Sequence, residues 1–393
     1  MRKEGEIVTT MTTGRARIRL LDILRGFAIL GTLGTNIWLF ANLTDIAYMF
    51  TVDHAAWWVS FDDFLRLAVL FLVNGKLLGL LTIMFGVGLE LKYQQALRKG
   101  KTWPGVYVWT SVILLLEGLL HFTLVMEFDI LMSYAVTAII VSFVVKRGDR
   151  AINRTMKVVG CFHLIVILLI FFASVWLEAS GANVSFGKMD EVTVLYKEGT
   201  WLEQVAYRLN NFLLLRSEVI FVIPMNIFLF LTGVRLMRAG AFLPNETGRS
   251  IRQKMLRVGM LLGVPLNVLI FVPGGVLDLP LRYLFAPILA IGYMALIAKM
   301  VERSENFWLW SRLEGIGKMA LSCYVLQNTL SAFIFYGWGL GLGGKLDSLS
   351  TIAAWVLISL VQISFSALWL HAFKLGPMEA VRKYLARVTV GEN

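Results

Sequence analysis

Charge is scarce in this chain. Only 16% of its 393 residues are Asp, Glu, Lys or Arg, where soluble domains carry about 25%. Cysteine is nearly absent. Cys161 and Cys323 both lie inside apolar runs, so a disulfide framework is not expected and each reads as a small buried apolar residue. No CxxC or HxxxH spacing occurs, so no metal site is expected. No GxxxxGK[ST] phosphate loop is present either. The basic, polar N-terminus lacks the short apolar core and small-residue cleavage site of a removable signal peptide. No polar stretch of roughly 100 residues offers a soluble domain, so any chemistry must occur within a bundle or at its surfaces.

Apolar residues fill that space. They make up 58% of the chain, and mean hydropathy is +0.71. Such a composition excludes disorder. Apolar runs of about 20 residues recur, long enough to cross a bilayer as helices. The pattern predicts an all-α polytopic membrane bundle of about ten transmembrane helices: residues 23–41, 68–90, 104–125, 129–146, 157–177, 217–237, 255–273, 281–299, 317–338 and 352–373. These form one domain over 23–373, between a basic segment 1–22 and a tail 374–393. Residues 61–75 lead into the second span, either extending it or lying at the interface. The connection 178–216 is amphipathic and predicts interfacial helices. Pro224, Pro265 and Pro287 fall inside spans and predict kinks.

The net charge of +11 then finds its place. Of 37 Lys and Arg, 28 fall in the N-terminus and alternate connections on one side; five fall on the other. The positive-inside rule makes the first side cytoplasmic, with both termini inside. The charge therefore predicts topology and a lipid bilayer partner, and no nucleic acid. The four remaining basic residues, Arg25, Arg66, Lys76 and Arg216, sit in or beside spans.

Ionisable residues inside spans are costly and mark function by default. The topology puts Asn36, Lys76, His121 and Asp129 at one depth in the outer half, Tyr134 about a turn further in, and Arg25 near the inner surface. Glu117 and His121 are four apart and share a helix face. A carboxylate beside an imidazole suits a general base or a proton relay; the same pair also fits a polar contact satisfied within a bundle. His163 and His371 read as packing and interfacial residues. Arg216 and Glu218, two apart, point to different faces and call for separate partners.

Four ordered stretches resemble the YeiB-type bacterial membrane proteins: Leu21-Asp22-Ile23-Leu24-Arg25-Gly26 with Asn36; Lys76 with Met84-Phe85-Gly86; Gly118-Leu119-Leu120-His121 with Asp129 and Tyr134; and Gly317-Lys318 through Tyr324 to Gln327, with Gly376-Pro377-Met378-Glu379 near the end. The resemblance implies a wider transmembrane acyltransferase superfamily that includes acyltransferase-3 and heparan-α-glucosaminide N-acetyltransferase proteins. Those move an acyl group from cytosolic acyl-CoA to a sugar across the membrane. Where acyltransferase-3 proteins carry an Arg and a catalytic His, this chain has Arg25 and Asn36. The heparan enzymes have a His-Ala-Ser-Trp run, and this chain has His54-Ala55-Ala56-Trp57. The YeiB-type pattern points to His121 instead, although Glu117 stands where those chains are usually apolar.

Two functions follow as expectations. In an acyltransferase, Arg25 holds the CoA phosphates, and His121, helped by Glu117 or Asp129, deprotonates a small-molecule or glycan hydroxyl or amine. Asn36 and Lys76 stabilise the oxyanion. His54 is a further catalytic candidate, and Tyr134 and Gln327 are candidate binding residues. In a proton-coupled transporter or exporter, the same His, Glu and Asp relay protons. A membrane scaffold does not explain the ionisable groups. Oligomeric state is left open, a homodimer included.

Overall fold

The computed structural model describes residues 19–51, 54, 56–181 and 190–390. The expectations placed on residues 1–18, on Ala55 and on part of the 178–216 connection lie outside them. The described residues form helices and turns, with no strand. In chain order the helices are α1 (Arg19–Ala41), α2 (Phe61–Val73), α3 (Lys76–Arg98), α4 (Gly105–Leu124), α5 (Leu131–Lys146), α6 (Asp149–Ala179), α7 (Asp190–Glu198) and α8 (Trp201–Asn210). There follow α9 (Val219–Arg238), α10 (Glu246–Val268), α11 (Ala286–Arg303), α12 (Trp308–Lys318), α13 (Ala320–Phe335), α14 (Ser348–Ala372) and α15 (Pro377–Val390).

Among the described residues, eight segments are long and apolar enough to cross a membrane, and α2 with α3 counts as one of them. The predicted fourth and ninth spans are the shorter apolar helices α5 and α13. The burial pattern is that of a protein dissolved in lipid. Large apolar side chains such as Leu169 and Phe172 on α6, Leu261 on α10 and Leu368 on α14 face outward. Asp22, Thr82, Asp129, Gln327 and Gln362 are buried. Cys323 is buried, but Cys161 is exposed on α6, contrary to expectation. That helix is peripheral, so even its mid-span positions face outward.

The lead-in to the second span is a separate helix. The chain breaks at Asn74-Gly75, where Gly75 has φ +73°. A Cβ there would be strained, and it would press on the Ala286 Cβ and the Arg282 carbonyl, each 2.7 Å away. The 178–216 connection is not simply interfacial. Helix α8 starts with a Thr200–Glu203 capping box, and Tyr196 and Arg208 are fully buried against the bundle. The C-terminal tail is likewise a docked helix. Glu379 of α15 accepts from the Leu321 and Ser322 amides at 2.8 and 3.4 Å and caps α13.

Helices α1 and α12 approach backbone to backbone. A Cβ on Gly26 would overlap the Leu313 carbonyl, and one on Gly317 would overlap the Asp22 carbonyl. Without a hydrophobic force between helices in lipid, such close packing carries the association. Gly317→Val should therefore give aggregated protein or a clearly lower unfolding midpoint in detergent. Gly315→Ala, whose added methyl meets Ser366 Oγ at an ordinary 3.5 Å, should elute and melt like the wild type.

Candidate functional site

The connection between α4 and α5 places the central pair. Val125 through Ile130 is non-helical, so its backbone needs partners from elsewhere. Arg216 supplies them: Nη1 donates to the Asp129 carbonyl at 2.8 Å and Nη2 to the Glu127 carbonyl at 2.9 Å. Its guanidinium also lies 4.5 Å from the Phe122 ring centroid. Arg208 donates to the Thr123 and Val125 carbonyls at 2.9 and 3.3 Å. Tyr196 donates to Glu127 Oε2 at 2.7 Å. Burial and the adjacent carboxylate hold that phenol well above its ordinary pKa.

Held this way, Asp129 meets His121, with Asp129 Oδ1 3.0 Å from His121 Nδ1. Both residues are buried. The approach is an ion-pair contact outside hydrogen-bond alignment. Asp129 Oδ2 accepts from the Met132 amide at 3.1 Å, and the Tyr324 hydroxyl lies 3.5 Å from Oδ1. On the other edge of the imidazole, Asn328 Nδ2 sits 3.2 Å from Nε2. An amide nitrogen at Nε2 and a carboxylate at Nδ1 favour the tautomer with its proton on Nδ1 and its lone pair on Nε2. Tyr324 and Asn328 were not singled out as site residues from the sequence; they lie about 200 residues away, and their only signal was the motif around Gln327.

Asp129 also lines a cavity of about 470 Å³. Asn36, Tyr134, Glu218, Asn226 and Arg282 share its wall, together with aromatic side chains such as Phe128 and Phe221. Its size and mixed lining are those of a small-molecule site. Tyr134 donates to, or accepts from, Thr82 Oγ1 at 2.7 Å. His163 of α6 ties two walls together: its ring nitrogens lie 3.0 Å from both the Phe221 and the Tyr283 carbonyls. A neutral ring can donate to only one of them.

The other sequence candidates fall elsewhere. Lys76 is buried, but it turns from the cavity toward the Leu70 carbonyl at 3.4 Å and the Phe71 ring. His54 lies 3.7 Å from Asp63 and edge-on to Tyr48 in the 51–57 connection. Gln327 is buried, and its Oε1 accepts from Gln362 Nε2 at 2.7 Å. Glu117 shares its helix with His121, yet it pairs with Arg382 of α15 at 3.9 Å. Arg25 pairs with Asp22 at 2.9 Å. Arg25 and Arg382 are both electrostatic neighbours of Lys92, which gives a basic cluster at the end of the bundle that holds the α1 start and α15. Arg216 and Glu218 do approach each other, at 4.0 Å, but the backbone carbonyls are the stronger partners of Arg216. Among the described residues, no group of three or more metal-ligating side chains occurs.

Comparison with known proteins agrees with the sequence motifs. Residues 236–389 match the family described as "Protein of unknown function (DUF418)". The chain is 25% identical to YxaH of Bacillus subtilis (strain 168), covering 94% of both chains. It is 28% identical to YeiB of Escherichia coli (strain K12), covering 94% of this chain and 96% of that one. A 39.9 kDa protein of Bacillus acidopullulyticus is 23% identical, with 93% and 92% covered. All three are described as uncharacterised. Together these matches support a YeiB-type family. The family match includes Arg282 and Asn328 but stops short of His121 and Asp129.

Arg216→Lys keeps the charge but loses the planar fork that reaches two carbonyls. It should lower stability by about 2 kcal/mol, seen as a lower unfolding midpoint, while Glu218→Gln should stay within about 0.5 kcal/mol of wild type.

Proposed function

We propose that the protein is an integral-membrane acyltransferase of the bacterial plasma membrane. It spans the bilayer about ten times with its basic face in the cytoplasm. It moves an acyl group from cytosolic acyl-CoA to a hydroxyl or amine acceptor held near the outer face. The observation that carries this reading is the buried His121–Asp129 pair, with Asp129 also lining the cavity.

In this reading Arg25, Lys92 and Arg382 hold the CoA phosphates at the inner mouth. Asn328 yields its place at His121 Nε2 to the acceptor, whose proton passes to Nε2 as its oxygen or nitrogen attacks the thioester carbonyl. The C–S bond breaks, and the CoA thiolate takes that proton from the imidazolium. Asp129 orients the ring and stabilises its charged form. Asn36 and the Asn328 amide are the neutral donors available to the oxyanion; Lys76 is turned away from it.

The test is acyl-CoA binding and CoA release by purified protein in nanodiscs. Wild type should bind and turn over acyl-CoA; His121→Ala should bind it and lose about 10²–10⁴-fold in turnover. Wild-type protein that binds no acyl-CoA, or an Ala variant of unchanged rate, overturns the assignment.

A second reading rests on a different observation. Arg382, Glu117, His121 and Asp129 form a sequence of ionisable groups from the basic end to the cavity. Neither carboxylate oxygen of Glu117 has a hydrogen-bond partner among the described residues. That arrangement suits a proton relay in a transporter. Proteoliposomes should then show pH-gradient-driven solute flux that Glu117→Gln abolishes. Flux indifferent to that change removes this reading.

A further inference from the structure

The cavity wall is unevenly charged. Of its two carboxylates, Asp129 faces His121, and Glu218 stands 4.0 Å from Arg216. The third charged group, Arg282, has no carboxylate within 4.0 Å among the described residues. Its hydrogen-bond and ring partners are neutral: Asn74 Oδ1 accepts from Nη1, and the Phe50 and Tyr283 rings lie 6.0 and 5.6 Å from the guanidinium carbon; Glu218 is an electrostatic neighbour beyond ion-pair range. Its Nε is buried with no acceptor. Asp278, one helical turn earlier, accepts from the Thr51 amide and hydroxyl.

Two neighbours deepen the imbalance. Lys76 is an electrostatic neighbour of Arg282, and its side chain meets the Leu70 carbonyl and the Phe71 ring. Arg282 thus has no carboxylate within ion-pair range and shares Glu218 with Arg216 only as an electrostatic neighbour, in a setting where an undercompensated charge is costly. Asn226, on α9 just after Pro224, also lines the cavity. It is 2% exposed, and its Nδ2 has no acceptor. A buried amide without a partner calls for one.

We infer that this cavity binds an amphipathic organic anion: one oxyanion group, carboxylate or phosphate, drawn to Arg282 and Asn226, and an apolar body against Met49, Phe128 and Phe221. The volume of about 470 Å³ admits a small molecule or a single headgroup with part of a chain. The inference does not depend on the acyl-transfer reading. The site stands or falls by binding alone.

The test uses full-length protein in phosphatidylcholine nanodiscs, with decanoate and decyl phosphate as probes and decanol as the neutral control. Calorimetry should show saturable binding of the anions, weaker by about tenfold or more for decanol. Arg282→Gln should weaken anion binding by at least a similar factor. Asn226→Asp, which replaces a donor with a like charge, should do the same and keeps the test open if the Gln variant does not fold. Anions bound no better than decanol, or folded variants that bind as the wild type does, overturn the inference. Anionic phospholipid in the nanodisc that competes with decyl phosphate assigns the site to a lipid headgroup; absence of competition assigns it to a free acid. Anion binding without acyl-CoA turnover leaves the cavity assigned and removes the acyl-transfer reading. Turnover without anion binding does the reverse.

Discussion

Six residues of non-helical backbone, Val125 to Ile130, connect α4 to α5, and the site depends on how their polar groups are satisfied. In an apolar bundle, water is not freely available to do it. Arg216 and Arg208 donate to four carbonyls of the segment 123–129. Arginine suits this role because its planar fork reaches two acceptors and stays charged. The helices after α6 thus arrive with the cations that make the earlier turn viable. Asp129 owes its position to that turn, and His121 owes its partner to Asp129.

This explains why the site sits where helices are short. Helices α5 and α13 are the two shorter apolar helices, and they carry Tyr134, Tyr324 and Asn328. Chain is spent on turns and caps at their ends instead of on further helical residues. The lid formed by α7 and α8 then closes over the ends of α4 and α13: Trp201 donates to the Leu124 carbonyl, and the Gly337 amide donates to the Tyr196 carbonyl. What the charge asymmetry predicts as a loop is a structural part of the bundle.

The sequence makes the spans legible because lipid imposes one-dimensional rules of length and hydropathy. The expectation of a shared depth puts His121 and Asp129 together, and the two do meet. Rotation about the helix axis is not legible. Lys76 follows the left-handed turn at Gly75, and its amine meets the Leu70 carbonyl instead of the cavity. The i,i+4 spacing of Glu117 and His121 is legible too, but Arg382 of α15 stands next to that carboxylate instead. Asn328, Arg282 and Asn226 gain their meaning from partners far away in sequence. Only packing reveals that Arg282 has no carboxylate within 4.0 Å, while Asp129 faces His121 and Glu218 faces Arg216.

The cap that Glu379 places on α13 ties the site to the order of biosynthesis. Chains emerge N-terminal end first, so His121 and Asp129 enter the membrane long before Tyr324 and Asn328. Those two sit on a helix whose first amides find their acceptor only when residue 379 has been made. A chain cut short after its last apolar helix would hold every span and still lack that cap. Completion of the site is thereby coupled to the synthesis of α15.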